Sequence, residues 1–302
     1  MHYSKIFFLS TVLAALILTS SFSTAEDSTP TLPSSEAAWN AASKIATKGP
    51  ADVTLADQGV LHIPSNMAFI PQEESNDLLV AWGNSRDDRL IGMVVPTADN
   101  EAWAATIDKT FEGYVKDDEA RSWDADALLQ SLKDGTEASN QDRIDRGFQA
   151  LEVVGWIEKP NYQEAQHRLV WSMKMIHKGV ENDDNAVVNY NTYALGRDGY
   201  LEVDLLTNEK TVAHDKFAAN QVLAGIQYNI GKRYEDFKPE TDHLAEYGIA
   251  ALIGGLAAKQ LGLLALASVF ILKFIKIFAV AALVGVGAVK RFFFGNKKTP
   301  ET

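Results

Sequence analysis

The longest apolar segment of this 302-residue chain lies near its C-terminus and constrains the rest of the fold. From about Gly248 to Val289 its charged residues are Lys259, Lys273 and Lys276. A continuous helix of this length would be roughly 60 Å long, twice the hydrocarbon core of a bilayer. Apolar residues run all round this helix, whereas a surface helix of a soluble protein has one apolar stripe. The segment therefore predicts a membrane anchor rather than a buried helical hairpin.

Three arrangements of this segment in a bilayer remain open. Residues 249–272 could cross, with Lys259 extending toward the headgroups. Residues 263–289 could cross instead, with two lysines near the middle at a high cost. A hairpin could also cross twice, but it would return the basic residues Lys290 and Arg291 to the outside, against the usual cytoplasmic bias. We predict that residues 249–289 contact the bilayer with one net crossing.

The N-terminus has the layout of a secretory signal peptide. Lys5 precedes an apolar run from Ile6 to Leu18, and Ser23-Thr24-Ala25 offers small residues for cleavage. The run is shorter than the ~20 residues of a membrane span, which favours cleavage over an uncleaved anchor. The main domain is therefore expected to be exported across the inner membrane, with the C-terminal tail in the cytoplasm.

Charge and cysteine content exclude several classes of function. Residues 26–246 contain 20 basic and 39 acidic residues, and such a domain is repelled by nucleic acid and by anionic lipid. The chain has no cysteine, which excludes thiol nucleophiles, cysteine-ligated metals and disulfides. We expect no nucleic-acid partner.

The middle of the chain predicts an α+β fold, with an antiparallel sheet and segregated helices. Residues 169–175 alternate between apolar and polar side chains, which is typical of a half-buried strand, and Pro160-Asn161 is expected to turn this strand back on residues 151–157. Further strands are predicted over 52–55, 60–64, 90–95, 187–195 and 200–206, and helices over 37–48, 73–82, 125–133 and 209–224. The chain is thus divided into a signal peptide over 1–25, a linker with a short helix over 26–50, an exported acidic domain over 51–246, an anchor over 247–294 and a tail over 295–302.

Several local motifs resemble a bacterial family of predicted membrane-anchored proteins, domain-of-unknown-function family 2167. The matching residues are Gly59-Val60-Leu61, Gly155-Trp156, Leu169-Val170-Trp171, Asn189-Tyr190-Asn191-Thr192, Leu195-Gly196-Arg197-Asp198-Gly199 and Tyr247-Gly248-Ile249-Ala250-Ala251-Leu252-Ile253-Gly254-Gly255. The resemblance implies export and membrane anchoring. It implies no activity and no catalytic residues.

No standard catalytic, nucleotide-binding or calcium-binding motif is present, and the six histidines are scattered. We therefore predict no catalytic residue, no cofactor and no metal site. The acidic run Asp117-Asp118-Glu119 is interpreted as solvated charge rather than as a calcium site.

One hairpin supplies the candidate binding residues. Asp198-Gly199 predicts a two-residue turn that pairs Arg197 with Tyr200. Tyr190 and Leu201 then face the core, and the opposite face offers amides, a phenol and carboxylates for recognition. Its residues are Asn189, Asn191, Tyr193, Glu202 and Asp204. The alternative is the solvent-exposed side of an antiparallel sheet.

These observations favour a membrane-anchored protein of the cell envelope, acting as a non-enzymatic binding or interaction module that faces the periplasm. We expect an envelope protein as its partner, in addition to the bilayer. The alternative is an envelope hydrolase with a carboxylate or histidine site that no motif reveals.

Overall fold

The structure is a computed structural model that describes residues 34–254, except for 99, 121–122, 146, 181–182 and 184–185. The predicted signal peptide over 1–25, the anchor beyond Gly254 and the tail over 295–302 lie outside the described residues. Among the residues described, no helix is long and apolar enough to cross a membrane.

Eleven strands in the described part of the chain form two antiparallel sheets. The large sheet has the order β1-β4-β5-β6-β10-β9-β8-β7, and the small sheet has the order β11-β3-β2. The strands are β1 (Thr47–Lys48), β2 (Ala51–Leu55), β3 (Gly59–Ile63), β4 (Met67–Pro71), β5 (Leu90–Pro96), β6 (Ala104–Thr110), β7 (Leu151–Gln163), β8 (Arg168–His177), β9 (Val187–Leu195), β10 (Tyr200–Asn208) and β11 (Ile226–Tyr228). The predicted α+β class with an antiparallel sheet is confirmed.

Five α-helices in the described residues pack on the two faces of the large sheet. They are α1 (Ser35–Ile45), α2 (Gln72–Ala81), α3 (Ala125–Asp145), α4 (Val212–Gly225) and α5 (Ala251–Gly254). Helix α4 and the small sheet cover one face, where Val222 and Leu61 join Leu201 and Val203 in one apolar core. Helices α1 and α2 pack on the other face near β4 and β5, and α3 and α5 join the core beside β7 and β8.

Two sequence-based boundaries are wrong. Pro160-Asn161 does not turn the chain, because β7 continues through this point with register shifts and the turn falls at Glu164–Gln166. Gly135 does not end α3, which continues to Asp145 because Gly135 lies on the buried side of the helix. An edge strand such as β7 tolerates a proline. A helix such as α3 can continue through a glycine, which lowers its stability without ending it.

The β9–β10 hairpin has a different register from the predicted one. Tyr200 pairs with Leu195, not Arg197, and Leu201 pairs with Ala194. Gly196 and Gly199 close the turn through a backbone hydrogen bond of 2.8 Å. The register is displaced by two residues, so every side chain keeps its predicted face, because side chains alternate with a period of two.

The folded domain extends beyond both of its predicted ends. Helix α1 begins within the predicted linker and buries Ala38 and Ala42, and β1 pairs with β4. At the other end, Ile249, Leu252 and Ile253 are fully buried in the core beside α3. The start of the predicted anchor is therefore also part of this core.

Candidate functional site

The five predicted binding residues lie together on one face of the large sheet. Glu202 pairs with Tyr193 and Asp204 pairs with Asn191 across β10 and β9, and Asn189 follows on the same face. On the other side of β10, Asp108 and Thr106 of β6 lie opposite Glu202 and Asp204. We call these seven residues the polar layer: Thr106, Asp108, Asn189, Asn191, Tyr193, Glu202 and Asp204.

The polar layer is buried, which corrects the expectation of a solvent-facing surface. Asp204 and Asn191 expose 2% and 1% of their surface, and Tyr193 exposes none. The sequence suggested one wet face, because antiparallel sheets often have one. Here both faces of the large sheet are covered. On its own face, the polar layer lies between two apolar clusters, one that includes Trp171 and one that includes Leu206. Its role in binding stays a prediction.

Burial changes the acidity of the layer. It raises the pKa of Glu202 to about 8, and the nearby charge of Asp108 acts in the same direction. Burial also raises the pKa of Asp204 well above its ordinary value, with the charges of Glu202 and Asp108 adding to the effect. Arg89 opposes both shifts, but its guanidinium also binds Asp87, with Nη2 2.5 Å from Oδ2. These carboxyls therefore favour their neutral form unless a cation joins them.

Several polar atoms of the layer have no hydrogen-bond partner. They are Thr106 Oγ1, Asn189 Oδ1, both side-chain polar atoms of Asn191, Tyr193 Oη and Asp204 Oδ1. Buried polar groups are nearly always hydrogen-bonded, and an unsatisfied one costs about 1–3 kcal/mol. No group of three histidine or acidic side chains in the described part of the chain could hold a metal ion.

A second place with ligand-binding geometry is a pocket of about 340 Å³ at the start of β8. It is bounded by the β7–β8 turn, the end of β9, β11 and the segment 233–235. We call it the Arg168 pocket. The residues that matter for its chemistry are Gln166, His167, Arg168, Gln227, Arg233 and Glu235.

Arg168 is half-buried in this pocket. Its Nη2 donates to the carbonyl oxygen of Leu223 at 2.8 Å, near the C-terminal end of α4. No carboxylate among the described residues forms an ion pair with Arg168, and burial lowers its pKa. Arg233 adds a second positive charge, and its guanidinium forms a long ion pair with Glu235, with Nη1 3.9 Å from Oε1. The pocket is thus locally positive on an acidic domain.

The histidine of the pocket is held by aromatic side chains. His167 has a left-handed backbone with φ 48°, and its ring lies 4.4 Å from the ring of Tyr234. The Tyr162 hydroxyl donates to Asp117 at 2.6 Å and lies 3.3 Å from Nδ1 of His167. Burial raises the pKa of Tyr162, and the hydrogen bond to the carboxylate of Asp117 raises it further. Asp117, which the sequence suggested to be solvated charge, is therefore a hydrogen-bond partner.

Sequence reasoning missed the Arg168 pocket and half of the polar layer. No motif singles out His167 or Arg168, because their pocket depends on β11 and on residues 233–235, which are distant in sequence. Thr106 and Asp108 were missed with β6. The alternation of Thr106, Asp108 and Thr110 with buried apolar residues was the signal that could have identified this strand.

Three comparisons relate the chain to known proteins. A family described as "Protein of unknown function (DUF2167)" matches residues 47–284. No curated protein matches the chain. Among solved structures, the solution structure of cyanobacterial PsbP (CyanoP) from Synechocystis sp. PCC 6803 is similar, with a TM-score of 0.37, 8% identity, and coverage of 62% of this chain and 99% of that one. Since the family match spans most of the sequence, the chain belongs to the DUF2167 family.

Proposed function

We propose that this member of the DUF2167 family is a non-enzymatic binding module of the bacterial cell envelope, and that it binds a small anionic ligand in the Arg168 pocket. Its main domain faces the periplasm, and the part of the apolar segment 249–289 that follows the buried residues Ile249, Leu252 and Ile253 contacts the inner membrane. An envelope protein is its expected partner. The ligand is a small molecule that carries a carboxylate or a phosphate group, because arginine binds both groups through the same charge-assisted hydrogen bonds.

The half-buried guanidinium of Arg168 is the observation that carries this proposal. A buried charge is costly unless a partner of opposite charge compensates it. The described residues offer Arg168 a carbonyl oxygen but no carboxylate, and most of its five N–H donors remain for a ligand. Arg233 lines the same pocket and adds a second donor group.

The location in the envelope is supported by the two apolar ends of the sequence. The signal-like N-terminus favours export, and the apolar C-terminal segment with its basic tail favours one net crossing. The acidic surface of the domain would be repelled by anionic lipid. A tether, rather than the surface of the domain, therefore keeps it at the membrane.

Isothermal titration calorimetry on the full chain in detergent tests the pocket, with inorganic phosphate and succinate as probes. We expect saturable binding of at least one probe. Arg233→Met should weaken it roughly tenfold or more, because a hydrogen bond to a charged group contributes about 1.5–3 kcal/mol. Arg168→Lys keeps the charge but loses the planar fork, and it should weaken binding as well.

Arg86→Met is the matched control, because Arg86 is a half-exposed arginine that pairs with Glu73 and Asp77 outside the pocket. This variant should bind like the wild type. Absence of saturable binding for both probes, or equal binding by Arg233→Met and the wild type, would overturn the proposal.

The Asp117–Tyr162–His167 contacts favour a second candidate, an envelope hydrolase. His167 lines the pocket, and the Tyr162 hydroxyl links it to a carboxylate, as an orienting group behind a general base would. His167→Gln distinguishes the two functions. A hydrolase would lose turnover of a bound ester or phosphoester in this variant, whereas a binding module shows no turnover before or after the change.

A further inference from the structure

We infer that the ligand of the Arg168 pocket is an acidic α-amino acid, with its two carboxylates on Arg168 and Arg233 and its ammonium group on Glu235. The inference rests on the proposed anion-binding function of this pocket and specifies the chemical class of its ligand. It depends on the charges that line the pocket, on the spacing of two of them and on the size of the cavity.

The pocket is lined by two positive side chains and one negative side chain, which are Arg168, Arg233 and Glu235. A phosphate ion or a plain dicarboxylate matches the two arginines but brings its negative charge toward Glu235. Like charges placed side by side in a binding site are unfavourable. A ligand with two carboxylates and one ammonium group places an opposite charge beside each of the three side chains, and an acidic α-amino acid carries these groups.

Arg233 and Glu235 attract each other without forming a hydrogen bond. Nη1 of Arg233 lies 3.9 Å from Oε1 of Glu235, and their side chains are 46% and 60% exposed. This distance exceeds the ~2.7–3.2 Å of an N–H···O hydrogen bond. The neighbouring carboxylate of Asp236 instead accepts the backbone N–H groups of Gly231 and Arg233, at 2.8 Å and 3.1 Å. The guanidinium and the Glu235 carboxylate therefore keep donors and acceptors for a ligand.

The spacing of this pair fits an ammonium group and a carboxylate on the same carbon. In an α-amino acid the nitrogen and the carboxyl carbon are both bonded to Cα and lie about 2.5 Å apart. Both groups can then face Glu235 and Arg233 together, in the reverse order of charge. An amino group at the far end of a longer acid would not reach Glu235 from a carboxylate held by Arg233.

Arg168 remains for the second carboxylate. It is half-buried, and its partner in the described part of the chain is the carbonyl oxygen of Leu223 rather than a carboxylate. An amino acid with an uncharged side chain would leave this guanidinium without an opposite charge, whereas a side-chain carboxylate can bind its planar fork. The cavity of about 340 Å³ lies at the small end of ligand pockets, which suits a ligand of this size.

Isothermal titration calorimetry on the full chain in detergent tests the inference with two pairs of probes. L-aspartate differs from succinate, and L-glutamate from glutarate, only by the ammonium group that Glu235 is inferred to bind. At least one of the two amino acids should bind the wild type more tightly than its matched dicarboxylate, by roughly threefold or more. Glu235→Gln should weaken binding of that amino acid and leave binding of the dicarboxylate unchanged or tighter, so the preference is lost.

Glu240→Gln is the matched control, because Glu240 is an exposed glutamate five residues further along the chain and does not line the pocket. This variant should keep the wild-type preference. If phosphate or a dicarboxylate binds but neither amino acid binds more tightly than its matched dicarboxylate, or if Glu235→Gln keeps the preference, this inference is overturned and the anion site stands. Absence of binding by all the probes would overturn both.

Discussion

For both Arg168 and Asp204, burial determines the chemistry of the side chain. Arg168 is half-buried with a carbonyl partner and no carboxylate among the described residues, so its environment favours an anion. Asp204 exposes 2% of its surface and has an unsatisfied oxygen, and burial raises its pKa, so its environment favours the neutral carboxyl. Neither property can be read from the sequence, since Arg168 and Asp204 each occupy an ordinary polar position on an alternating strand.

The Arg197–Asp242 pair predicts how the protein responds to acid. The guanidinium of Arg197 binds both carboxylate oxygens at 2.7 Å and holds the pKa of Asp242 well below its ordinary value of 3.8. A carboxyl group whose pKa is lower in the folded state than in the unfolded state stabilises the fold at pH values above the unfolded-state pKa. This stabilisation is lost as pH falls below about 4. In urea unfolding between about pH 5 and about pH 2, the free energy of unfolding of Asp242→Asn should therefore depend less on pH than that of the wild type. An identical acid profile in the variant would contradict the prediction.

Glu202 predicts the opposite dependence on pH. Its folded-state pKa of about 8 exceeds its ordinary value of 4.5, so the folded chain binds more protons between these values and loses stability as pH rises through them. Glu202→Gln removes the group that titrates. The free energy of unfolding of Glu202→Gln should therefore fall less steeply than that of the wild type from about pH 4.5 to about pH 8.

Urea unfolding at a series of pH values measures both slopes. The charged and titratable groups that face Glu202 among the described residues are Asp87, Arg89, Asp108, Tyr193, Tyr200 and Asp204. They are the same in both proteins, so the difference between the two slopes reports the titration of Glu202 and its effect on these neighbours. Equal slopes would contradict the prediction.

At the scale of secondary-structure elements, the β9–β10 turn depends on close backbone approach at one glycine. Gly199 has φ 150°, and a Cβ atom at this position would lie 1.9 Å from the carbonyl oxygen of Thr110. Gly199→Ala should therefore shift β6 against β10 and destabilise the protein by about 1–3 kcal/mol, as overpacking does. Gly155→Ala is the control, because open space surrounds that glycine. Chemical denaturation of both variants checks the difference, and equal stabilities would contradict it.

The elements that the sequence predicted well are those with strong local signals. The alternation over 187–195 and 200–206 gave two strands with the correct faces, because the period of side chains is a local property of the backbone. The register was wrong, because it depends on how Gly196 and Gly199 close the turn. Strand β4 was missed, because Met67–Pro71 is nearly buried throughout and shows little alternation in hydrophobicity. Strand β6 was missed, because its alternation is short and ends where Lys109 takes the next apolar position.

At the scale of the whole molecule, the end of the domain lies further along the chain than the sequence suggested. The sequence-based division ends the acidic domain at residue 246 and starts the anchor at residue 247. However, Ile249 donates its backbone N–H to the carbonyl oxygen of Lys116 at 3.0 Å, and Leu252 and Ile253 are fully buried. Apolar composition alone does not separate a membrane anchor from a buried helix, so the sequence assigned these residues to the anchor.

A pair of fragments tests this domain boundary. A fragment of residues 26–254 should unfold at a higher temperature than one of residues 26–243, because the shorter fragment loses three buried side chains, each worth about 1.5–3 kcal/mol. Differential scanning calorimetry measures both transitions. Equal melting temperatures would show that residues 244–254 contribute nothing to the core.

The location of the acidic domain is the claim on which the proposed envelope function depends most. The chain has no cysteine, so a single introduced thiol reports its own position. Asp118 is exposed on the domain, and Thr299 lies in the C-terminal tail, outside the described residues. In intact cells with a permeabilised outer membrane, an impermeant thiol reagent should label Asp118→Cys at once and Thr299→Cys only after lysis. Protection of Asp118→Cys until lysis would place the domain in the cytoplasm and contradict the account.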